Sequence, residues 1–420
     1  MTAPRPSFAK VAAIFSALAA AYFMSEFFRI SHAVIAPDLM RELRISPEGL
    51  SILTSAFFVA FAAVQIPNGV LFDRFGPRRA MPCMILFGVV GAAIFAWAPS
   101  SAWLSVGRVF MGLGWSIVFM GGLVTLARWV PSEHFAVAVS ALITVGTLGN
   151  VFATAPWAAM VEALGWRVSI AIFGGLSLVV AAFVYAVVRD APPGHPYHGR
   201  APETLIEILR GVAAVVHFRD LRYLFAMNFV AYAVTITVLG LWAAPYFYDV
   251  HGLGPVERGN ALLVMTIAIA VGNFAVGPLD RLLDTRKNLV TIGAVATSSV
   301  HIVLAVTPGL SVFAVTVLFA TLGLFGGLIV VNLAHARAIF PDHLVGRGLV
   351  TMALAAFAGS AFMQMATGVL VGWFPLVEGK VPEIAYRAAF GFIGGTTLLV
   401  AVYHRRVRDA KPSADRARAR

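Results

Sequence analysis

The sequence predicts an all-α integral membrane protein with twelve transmembrane helices in two pseudo-symmetric six-helix bundles. Three observations predict it: the composition, twelve long apolar segments and a repeat between the two halves of the chain. Of the 420 residues, 60% are hydrophobic and only 12% are charged, whereas soluble domains are about 45–50% apolar and about 25% charged. So few polar residues leave a soluble globule without enough polar surface, and a single cysteine excludes a disulfide-stapled fold.

Each of the twelve segments is long enough to cross a bilayer as a helix, which takes about 20 mainly apolar residues. Their apolar runs are continuous and do not alternate with period two, which excludes a transmembrane β-barrel. The first segment contains Glu26 and Arg29 and has no small-residue cleavage site, so we interpret it as a span and not as a signal peptide. The predicted helices cover residues 10–37, 48–71, 80–98, 103–127, 135–161, 168–188, 221–246, 259–279, 288–307, 311–335, 348–373 and 388–403.

The charged residues are distributed unevenly between the two sides of this topology. If both termini and the even-numbered connections lie on one side, that side holds 23 Lys and Arg residues, the opposite side six and the spans two. The corresponding net charges are +12, −2 and +1. Because basic loops stay in the cytoplasm, we expect both termini to be cytoplasmic, in a bacterial inner membrane. The basic surplus is then a topology signal and does not indicate a nucleic-acid partner.

The two halves of the chain repeat each other at two places. GVLFDRFGPRR at 69–79 corresponds to GPLDRLLDTRK at 277–287, and RWVPSEH at 128–134 corresponds to RAIFPDH at 337–343. Both offsets are about half of the chain length, which favours duplication, and two parallel six-span repeats are a known transporter plan. The chain is accordingly divided into an N-terminal bundle (1–188), a cytoplasmic linker (189–220), a C-terminal bundle (221–404) and a basic cytoplasmic tail (405–420).

The segment from Gly69 to Arg79 resembles the loop 2–3 signature of the major facilitator superfamily, G-x-L-x-D-R-x-G-R-R/K, and a weaker copy begins at Gly277. The resemblance implies a transporter of twelve helices in which charged residues latch the outward-facing state. An aspartate of such a latch gains contacts with a helix N-terminus. The alternative is a basic loop that only sets the topology. The implied latch residues are Gly69, Asp73, Arg74, Gly76, Arg78, Asp280 and Arg281.

A second resemblance to the same family lies in the fourth predicted helix, where Arg108-x-x-x-Gly112-x-Gly114 is similar to its R-x-x-x-G-x-G element. The resemblance implies that Arg108 takes part in positioning or proton coupling. Alternatively, the long side chain of Arg108 only reaches towards the membrane–water interface and has no functional role. The two glycines allow close contact between helices. The family's Gly- and Pro-rich antiporter signature is matched only loosely in the fifth helix, by GTLGNVFATAPW.

Ionisable side chains inside a span are costly and mark candidate functional sites. Tyr22, Glu26, Arg29 and His32 follow spacings of four, three and three, so they share one face of the first helix. Arg29 and Glu26 form either a structural ion pair or an anion site, since a guanidinium fork suits carboxylate, phosphate and sulfonate oxygens. Such an arginine resembles that of the family's organic anion:cation symporters, although Gly114-Trp115-Ser116 lacks that branch's acidic residue.

Polar residues in other spans complete the candidate site. Each of them is also explained by hydrogen bonding between helices. The candidates for substrate binding are Arg29, His32, Gln65, Asn150, Asn228, Tyr232, Asn273 and Gln364. The candidates for proton coupling are Glu26, His32 and Arg108.

Together these features predict a monomeric secondary transporter that takes up a small organic anion with protons by alternating access. No Walker loop, paired catalytic carboxylates or nucleophile elbow indicates an enzyme, and no cofactor is expected. Met363, Met365 and His335 are soft ligand types, and thioethers favour Cu(I), but the two methionines face different sides of a helix, so no metal site is expected. Three alternatives stay open: an exporter of neutral or amphiphilic compounds with a structural Glu26–Arg29 pair, a transition-metal transporter and a non-transporting membrane sensor or assembly factor.

Overall fold

The structure is a computed structural model that describes residues 8–192, 220–340 and 345–413. Within these ranges the chain is helical, and its only β-type pairing is an isolated bridge between Val377 and Lys380. Eleven of the helices described are long and apolar enough to cross a membrane, and a bent pair of helices forms a twelfth span. The predicted fold class, an all-α membrane protein of twelve spans, is therefore confirmed.

We number the spans 1 to 12 in chain order. Spans 1 to 6 are Phe8–Leu43, Pro47–Ala63 with Gln65–Phe75, Pro77–Ala96, Ser101–Trp115 with Val118–Trp129, Ser132–Phe152 with Ala155–Leu164, and Trp166–Val187. Spans 7 to 12 are Leu221–Thr237 with the π-helical turn Val238–Trp242 and Ala243–Asp249, Pro255–Leu283, Arg286–Val306, Val312–Gly326 with Leu328–Ile339, Val345–Gly372, and Glu383–His404. Most of the predicted linker 189–220 and the end of the tail 405–420 lie outside the described residues.

Local sequence signals set several of the helix starts. The Ser46 hydroxyl accepts a hydrogen bond from the Gly49 N–H at the start of span 2, and Pro47 occupies the first turn. The Thr285 hydroxyl accepts one from the Asn288 N–H at the start of span 9. These side chains replace the missing partners of the first backbone N–H groups, and proline is well suited to the first turn because it has no N–H to leave unpaired.

Glycines let the spans pack with their backbones in contact. A Cβ atom at Gly114 in span 4 would overlap Gly88 in span 3, so the glycine of the R-x-x-x-G-x-G element serves helix packing. Aromatic rings fill the core of the first half, where Phe27 stacks on Phe173 with ring centroids 4.0 Å apart and meets Trp157 edge-on at 4.9 Å. Small residues at the helix crossings and aromatic rings in the core together hold the first half as one packed unit.

We expect Gly359→Ala to destabilise the protein, because the added Cβ would overlap the Phe229 carbonyl group where spans 7 and 11 cross. Overpacking of this kind costs about 1–3 kcal/mol. Gly395→Ala in span 12 is the matched control, since its Cβ would meet no atom within 4 Å, and alanine favours helix over glycine by about 1 kcal/mol. Thermal unfolding in detergent measures both variants, and equal midpoints would contradict the expectation.

The two halves meet at the end of the molecule that lies opposite to the chain termini. We call this end the distal end, and we call the end that carries the termini the basic end. A Cβ at Gly368 in span 11 would overlap the Ser51 side chain in span 2, so these spans touch closely. Asp38 in span 1 and Arg258 in span 8 form an ion pair between the halves at 3.5 Å, with the Arg258 side chain only 2% exposed. These contacts form a distal seal above the centre of the molecule.

Candidate substrate-binding site

A cavity of about 170 Å³ lies between the two halves beneath the distal seal. Spans 1 and 5 of the first half and spans 7, 8 and 10 of the second half form its walls, which are mainly apolar. Its location agrees with the midplane site between repeats that transporters of this architecture use. The polar residues in its lining are Tyr22, Glu26, Arg29, Thr147, Asn150, Tyr232, Thr235, Thr266 and Asn273.

A buried ion pair dominates the chemistry of this cavity. Arg29 Nη1 lies 2.7 Å from Glu26 Oε1, and the two side chains are only 10% and 7% exposed. The other carboxylate oxygen of Glu26 accepts a hydrogen bond of 2.9 Å from the Asn150 amide in span 5. Arg29 Nη1 also donates to the Tyr232 hydroxyl across the interface between the halves, at 3.3 Å. Spans 1, 5 and 7 therefore hold this pair from three sides.

The guanidinium of Arg29 uses only part of its hydrogen-bonding capacity. Its contacts with Glu26 and Tyr232 both involve Nη1, while the Nε group is buried and has no partner among the described residues. Phe61 of the first half and Phe357 of the second lie around it, with their ring centroids 5.4 and 5.8 Å from Cζ. An arginine held between two aromatic rings stays charged and fixed in place.

Five residues singled out from the sequence meet at the cavity, namely Glu26, Arg29, Asn150, Tyr232 and Asn273. They come from spans 1, 5, 7 and 8, so the contact between them arises from the tertiary fold. The sequence interpretation did not include Thr266 of span 8, and it placed Tyr22 on the polar face of the first helix without naming it as a candidate for substrate binding. A lone threonine in an apolar helix carries no distinctive signal, because its hydroxyl bonds readily to its own helix, as Thr266 does with the Leu262 carbonyl.

Asn228 and Gln65 lie outside the lining of the cavity. The Asn228 amide donates to the Met352 carbonyl and accepts from the Asn332 amide, so it joins spans 7, 10 and 11 within the second half. Gln65 begins the second segment of span 2, directly after a bend of 46°. The contacts of Asn228 correspond to the alternative of hydrogen bonding between helices.

His32 and Gln364 also lie outside the lining of the cavity, and each is buried next to Gly240 in span 7. His32 is 2% exposed and Gln364 is fully buried. Neither ring nitrogen of His32 and neither amide atom of Gln364 has a hydrogen-bond partner in the described part of the chain. Gly240 belongs to the π-helical turn of span 7, with its carbonyl next to the His32 ring and an added Cβ 4.0 Å from Nε2 of Gln364. Such unpaired atoms each cost about 1–3 kcal/mol, and π-helical turns are common at functional sites.

Arg108 is buried inside the first half and does not extend to an interface. Its Nη1 donates to the Phe28 carbonyl at 2.8 Å, and its guanidinium lies over the Phe57 ring at 4.4 Å. Its Nε and Nη2 atoms have no hydrogen-bond partner among the described residues. A charged group this deeply buried between spans 1, 2 and 4 fits the interpretation of Arg108 as a positioning residue.

At the basic end, the latch motif surrounds a carboxylate that the sequence interpretation did not include. Gly76 adopts a φ of 70°, a conformation that favours glycine, and an added Cβ there would overlap the Asp190 carboxylate. Asp190 accepts a hydrogen bond of 2.8 Å from the Arg78 N–H at the start of span 3. Asp73 and Arg74 are exposed in the last turn of span 2, near Gly69. Asp190 follows span 6 and therefore fixes the end of one span to the start of another.

The second half repeats this arrangement. Asp409, which follows span 12, accepts hydrogen bonds from the Thr285 hydroxyl and from the Arg286 and Lys287 N–H groups at the start of span 9. Burial of this carboxylate acts to raise its pKa, but these hydrogen bonds outweigh burial and hold the pKa below its usual value. Asp280 forms an ion pair with Arg286 at 3.4 Å. The Arg281 side chain lies outside the described residues.

The described ranges contain no group of three or more His, Cys, Asp or Glu side chains placed to hold a metal ion. His335, one of the soft ligands considered from the sequence, instead faces the Arg408 carbonyl, 2.8 Å from its Nε2 atom.

The family follows from comparison with known proteins. A family model described as Major Facilitator Superfamily matches residues 18–308 and 224–420. The chain belongs to the Major Facilitator Superfamily. It is accordingly an integral membrane protein of that superfamily, as the sequence predicted.

Several curated members of the superfamily match part of this chain. The probable sulfoacetate transporter SauU of Cupriavidus necator is 24% identical over 277 residues, 64% of this chain and 64% of that protein. The nitrate/nitrite transporter NrtP of Nostoc punctiforme is 26% identical over 42% of this chain and 37% of that protein. The probable galactarate/D-glucarate transporter GudP of Escherichia coli is 25% identical over 40% of this chain and 38% of that protein. In each case this chain matches less than two thirds of the relative's length.

Solved structures of the superfamily share the fold over nearly the whole chain. The nucleoside transporter NupG aligns with a TM-score of 0.75 at 11% identity, covering 93% of this chain and 98% of that one. A bacterial homolog of the human lysosomal transporter Spinster, inward-facing and unoccupied, aligns with a TM-score of 0.72 at 16% identity and covers 95% of both chains. At these identities the likeness concerns the fold alone.

Proposed function

We propose that this superfamily member is a secondary transporter that takes up a small organic anion together with protons. The observation that carries this proposal is Arg29, a buried guanidinium in the wall of the central cavity and in contact with both halves. Burying an arginine in a span is costly, and such residues mark substrate or ion pathways. An anion is the ligand that a buried cation attracts most strongly.

The free edge of Arg29 defines the kind of anion. Glu26 and Tyr232 both use Nη1, and the buried Nε has no hydrogen-bond partner among the described residues, so the edge of the guanidinium that carries Nε and Nη2 is the one offered to a ligand. Two parallel N–H donors of this kind match the two oxygens of a carboxylate, and equally those of a sulfonate. The surrounding amides and hydroxyls of Asn150, Asn273 and Thr266 offer neutral hydrogen bonds to the rest of the ligand.

Glu26 links anion binding to protons in this proposal. Its carboxylate lies 2.7 Å from the guanidinium that must receive the anion, so a bound anion and an ionised Glu26 would repel each other at low dielectric. Protonation of Glu26 removes this repulsion, and each anion therefore enters with a proton. His32, six residues further along span 1 than Glu26, is a second candidate proton site because the reference pKa of histidine is about 6.5.

The relatives support an anionic cargo. Sulfoacetate, nitrate and glucarate, for which the matched relatives are named, are all anions. We infer further that the protein acts as a monomer in a bacterial inner membrane. Its basic end then faces the cytoplasm, the two six-span bundles are residues 1–188 and 221–404, and the motif from Gly69 to Arg78 with Asp280 and Arg281 latches the outward-facing state.

Uptake into proteoliposomes tests this proposal. Purified protein is assayed with sulfoacetate, D-glucarate, nitrate and nicotinate and with uncharged amides of the organic acids, with and without a pH gradient that is acidic outside. We expect uptake of at least one organic anion, stimulation by the gradient and no uptake of the amides. Transport of neutral amphiphiles in preference to every anion would contradict the proposal and favour the exporter alternative.

A further inference from the structure

A second and larger cavity opens at the distal end, above the seal. It measures about 480 Å³ and lies between the loop that joins spans 1 and 2 and the loop that joins spans 11 and 12. We call it the distal vestibule and define it by Arg41, Arg44, Tyr248, Leu376 and Lys380, which belong to its lining. Both halves contribute to it, as they do to the central cavity.

Basic residues concentrate at this vestibule although the distal end as a whole is acidic. That end carries six basic and eight acidic residues, and three of the six, Arg41, Arg44 and Lys380, line the vestibule. A fourth, Arg258, lies behind its wall, because Arg258 and Lys380 both approach the ring of Tyr248, at 5.2 and 5.4 Å.

The acidic residues of the vestibule are engaged in other contacts or outnumbered. Asp249 in the lining accepts a hydrogen bond from the Tyr386 hydroxyl. Asp38 lies between two cations, 3.1 Å from Arg41 and 3.5 Å from Arg258. Glu378 is the other acid of the lining. Three cations against two carboxylates leave the lining with a positive charge.

The backbone presents these charges in fixed positions. Arg44 and Glu378 adopt φ values of 50° and 52°, and they are two of the three described residues other than glycine with a positive φ. The pair of hydrogen bonds between Val377 and Lys380 closes a tight turn that holds Lys380 at the rim. Such conformations cost of order 1 kcal/mol or more and cluster at ligand-binding sites.

We propose that the distal vestibule is a recruiting subsite for small organic anions, which it concentrates before the distal seal opens. This inference rests on the proposed anion transport. Arg29 and Arg41 are twelve residues apart in span 1, which corresponds to about 18 Å along a helix. The Debye length is about 8 Å at physiological ionic strength, so Arg29 attracts no anion from bulk solution. The cations at the rim of the vestibule supply that attraction. Charges of one sign that line a cleft raise the local ligand concentration and the association rate by about 10- to 1,000-fold.

Charged thiol reagents test the vestibule without any transport substrate. Cys83 is replaced by serine, and a single cysteine is introduced by Leu376→Cys in the lining or by Phe313→Cys, a control elsewhere on the distal end; the native side chains are 53% and 78% exposed. Each protein reacts with anionic sulfonatoethyl methanethiosulfonate and with cationic trimethylammonioethyl methanethiosulfonate. We expect the anionic-to-cationic rate ratio to be about tenfold higher at position 376 than at position 313.

Adding Arg44→Gln and Lys380→Gln should lower the ratio at position 376 towards that of the control, and so should 1 M salt, where the Debye length is about 3 Å. Thermal unfolding of each variant verifies that it is folded before labelling. Equal ratios at the two positions, or a ratio at position 376 that the two substitutions leave unchanged, would overturn the proposal. If the protein transports no anion but the anionic-to-cationic rate ratio at position 376 is high and falls with the two substitutions, the result would support the vestibule proposal. It would then refute only the proposed anionic cargo.

Discussion

Replacing Arg29 by lysine is expected to lower kcat/KM for anion uptake by about 10- to 100-fold. Lysine keeps the positive charge, so the pairing with Glu26 across 2.7 Å remains possible. It loses the planar edge of two donors that Nε and Nη2 present, and a point charge cannot reproduce a two-pronged contact. Hydrogen bonds to charged groups contribute about 1.5–3 kcal/mol each, which corresponds to the expected loss.

Arg167→Lys is the matched control for this variant. Arg167 also pairs with a glutamate, Glu42, at 2.8 Å, but it does so at the exposed distal surface, away from the central cavity. Its replacement should leave kcat/KM unchanged, since exposed ion pairs contribute about 0–1 kcal/mol. Initial uptake rates over a range of anion concentrations, at equal protein density in the liposomes, measure both. If Arg29→Lys transports like Arg167→Lys, Arg29 has only a structural role.

The fold was predictable from the sequence because lipid imposes a strong constraint. A helix that crosses the bilayer needs a long apolar run, and each of the twelve predicted segments corresponds to one of the spans. Helix interruptions were less visible. The bend between Pro47–Ala63 and Gln65–Phe75 lies within a segment predicted as one helix, although Pro67 follows it directly. The π-helical turn at Val238–Trp242 lies inside a continuous apolar run, so composition alone does not reveal it.

The central ion pair was predictable for a local reason, whereas its partners were not. Glu26 and Arg29 are three residues apart on one helix, so their contact follows from helix geometry. That Asn150 and Tyr232 complete it depends on how spans 5 and 7 pack against span 1. Asn228 has the same appearance in the sequence as Tyr232, one turn away, yet it bonds inside the second half. The side of a helix that faces the cavity is decided by tertiary packing.

The distal vestibule shows a different limit. Its basic residues lie in two loops more than three hundred residues apart in the chain, and the sequence revealed only that the distal end has a net charge of −2. A sum over one side of the membrane hides a local excess of the opposite sign. The positive φ angles of Arg44 and Glu378 are equally invisible in the sequence, because neither residue is a glycine.

Replacing Glu26 by glutamine is expected to separate anion movement from proton movement. The glutamine carbonyl can accept the hydrogen bond that the Asn150 amide donates to Glu26 at 2.9 Å, so the shape of the site is kept. A neutral side chain reproduces the protonated state in which Arg29 is available to the anion. Exchange of labelled for unlabelled anion should therefore stay within about twofold of the native rate, whereas no proton is carried.

Accumulation of the anion against its own concentration gradient distinguishes the native protein from Glu26→Gln. One proton carried with each singly charged anion supports about tenfold accumulation per pH unit, since one unit corresponds to about 1.4 kcal/mol. The native protein should approach this ratio when the outside is acidic, and Glu26→Gln should reach only equilibration. Glu42→Gln, which removes a carboxylate at the exposed distal surface, should accumulate normally. Normal accumulation by Glu26→Gln would show that another group carries the proton, and loss of exchange as well would show that the Glu26–Arg29 pair is needed to hold the site together.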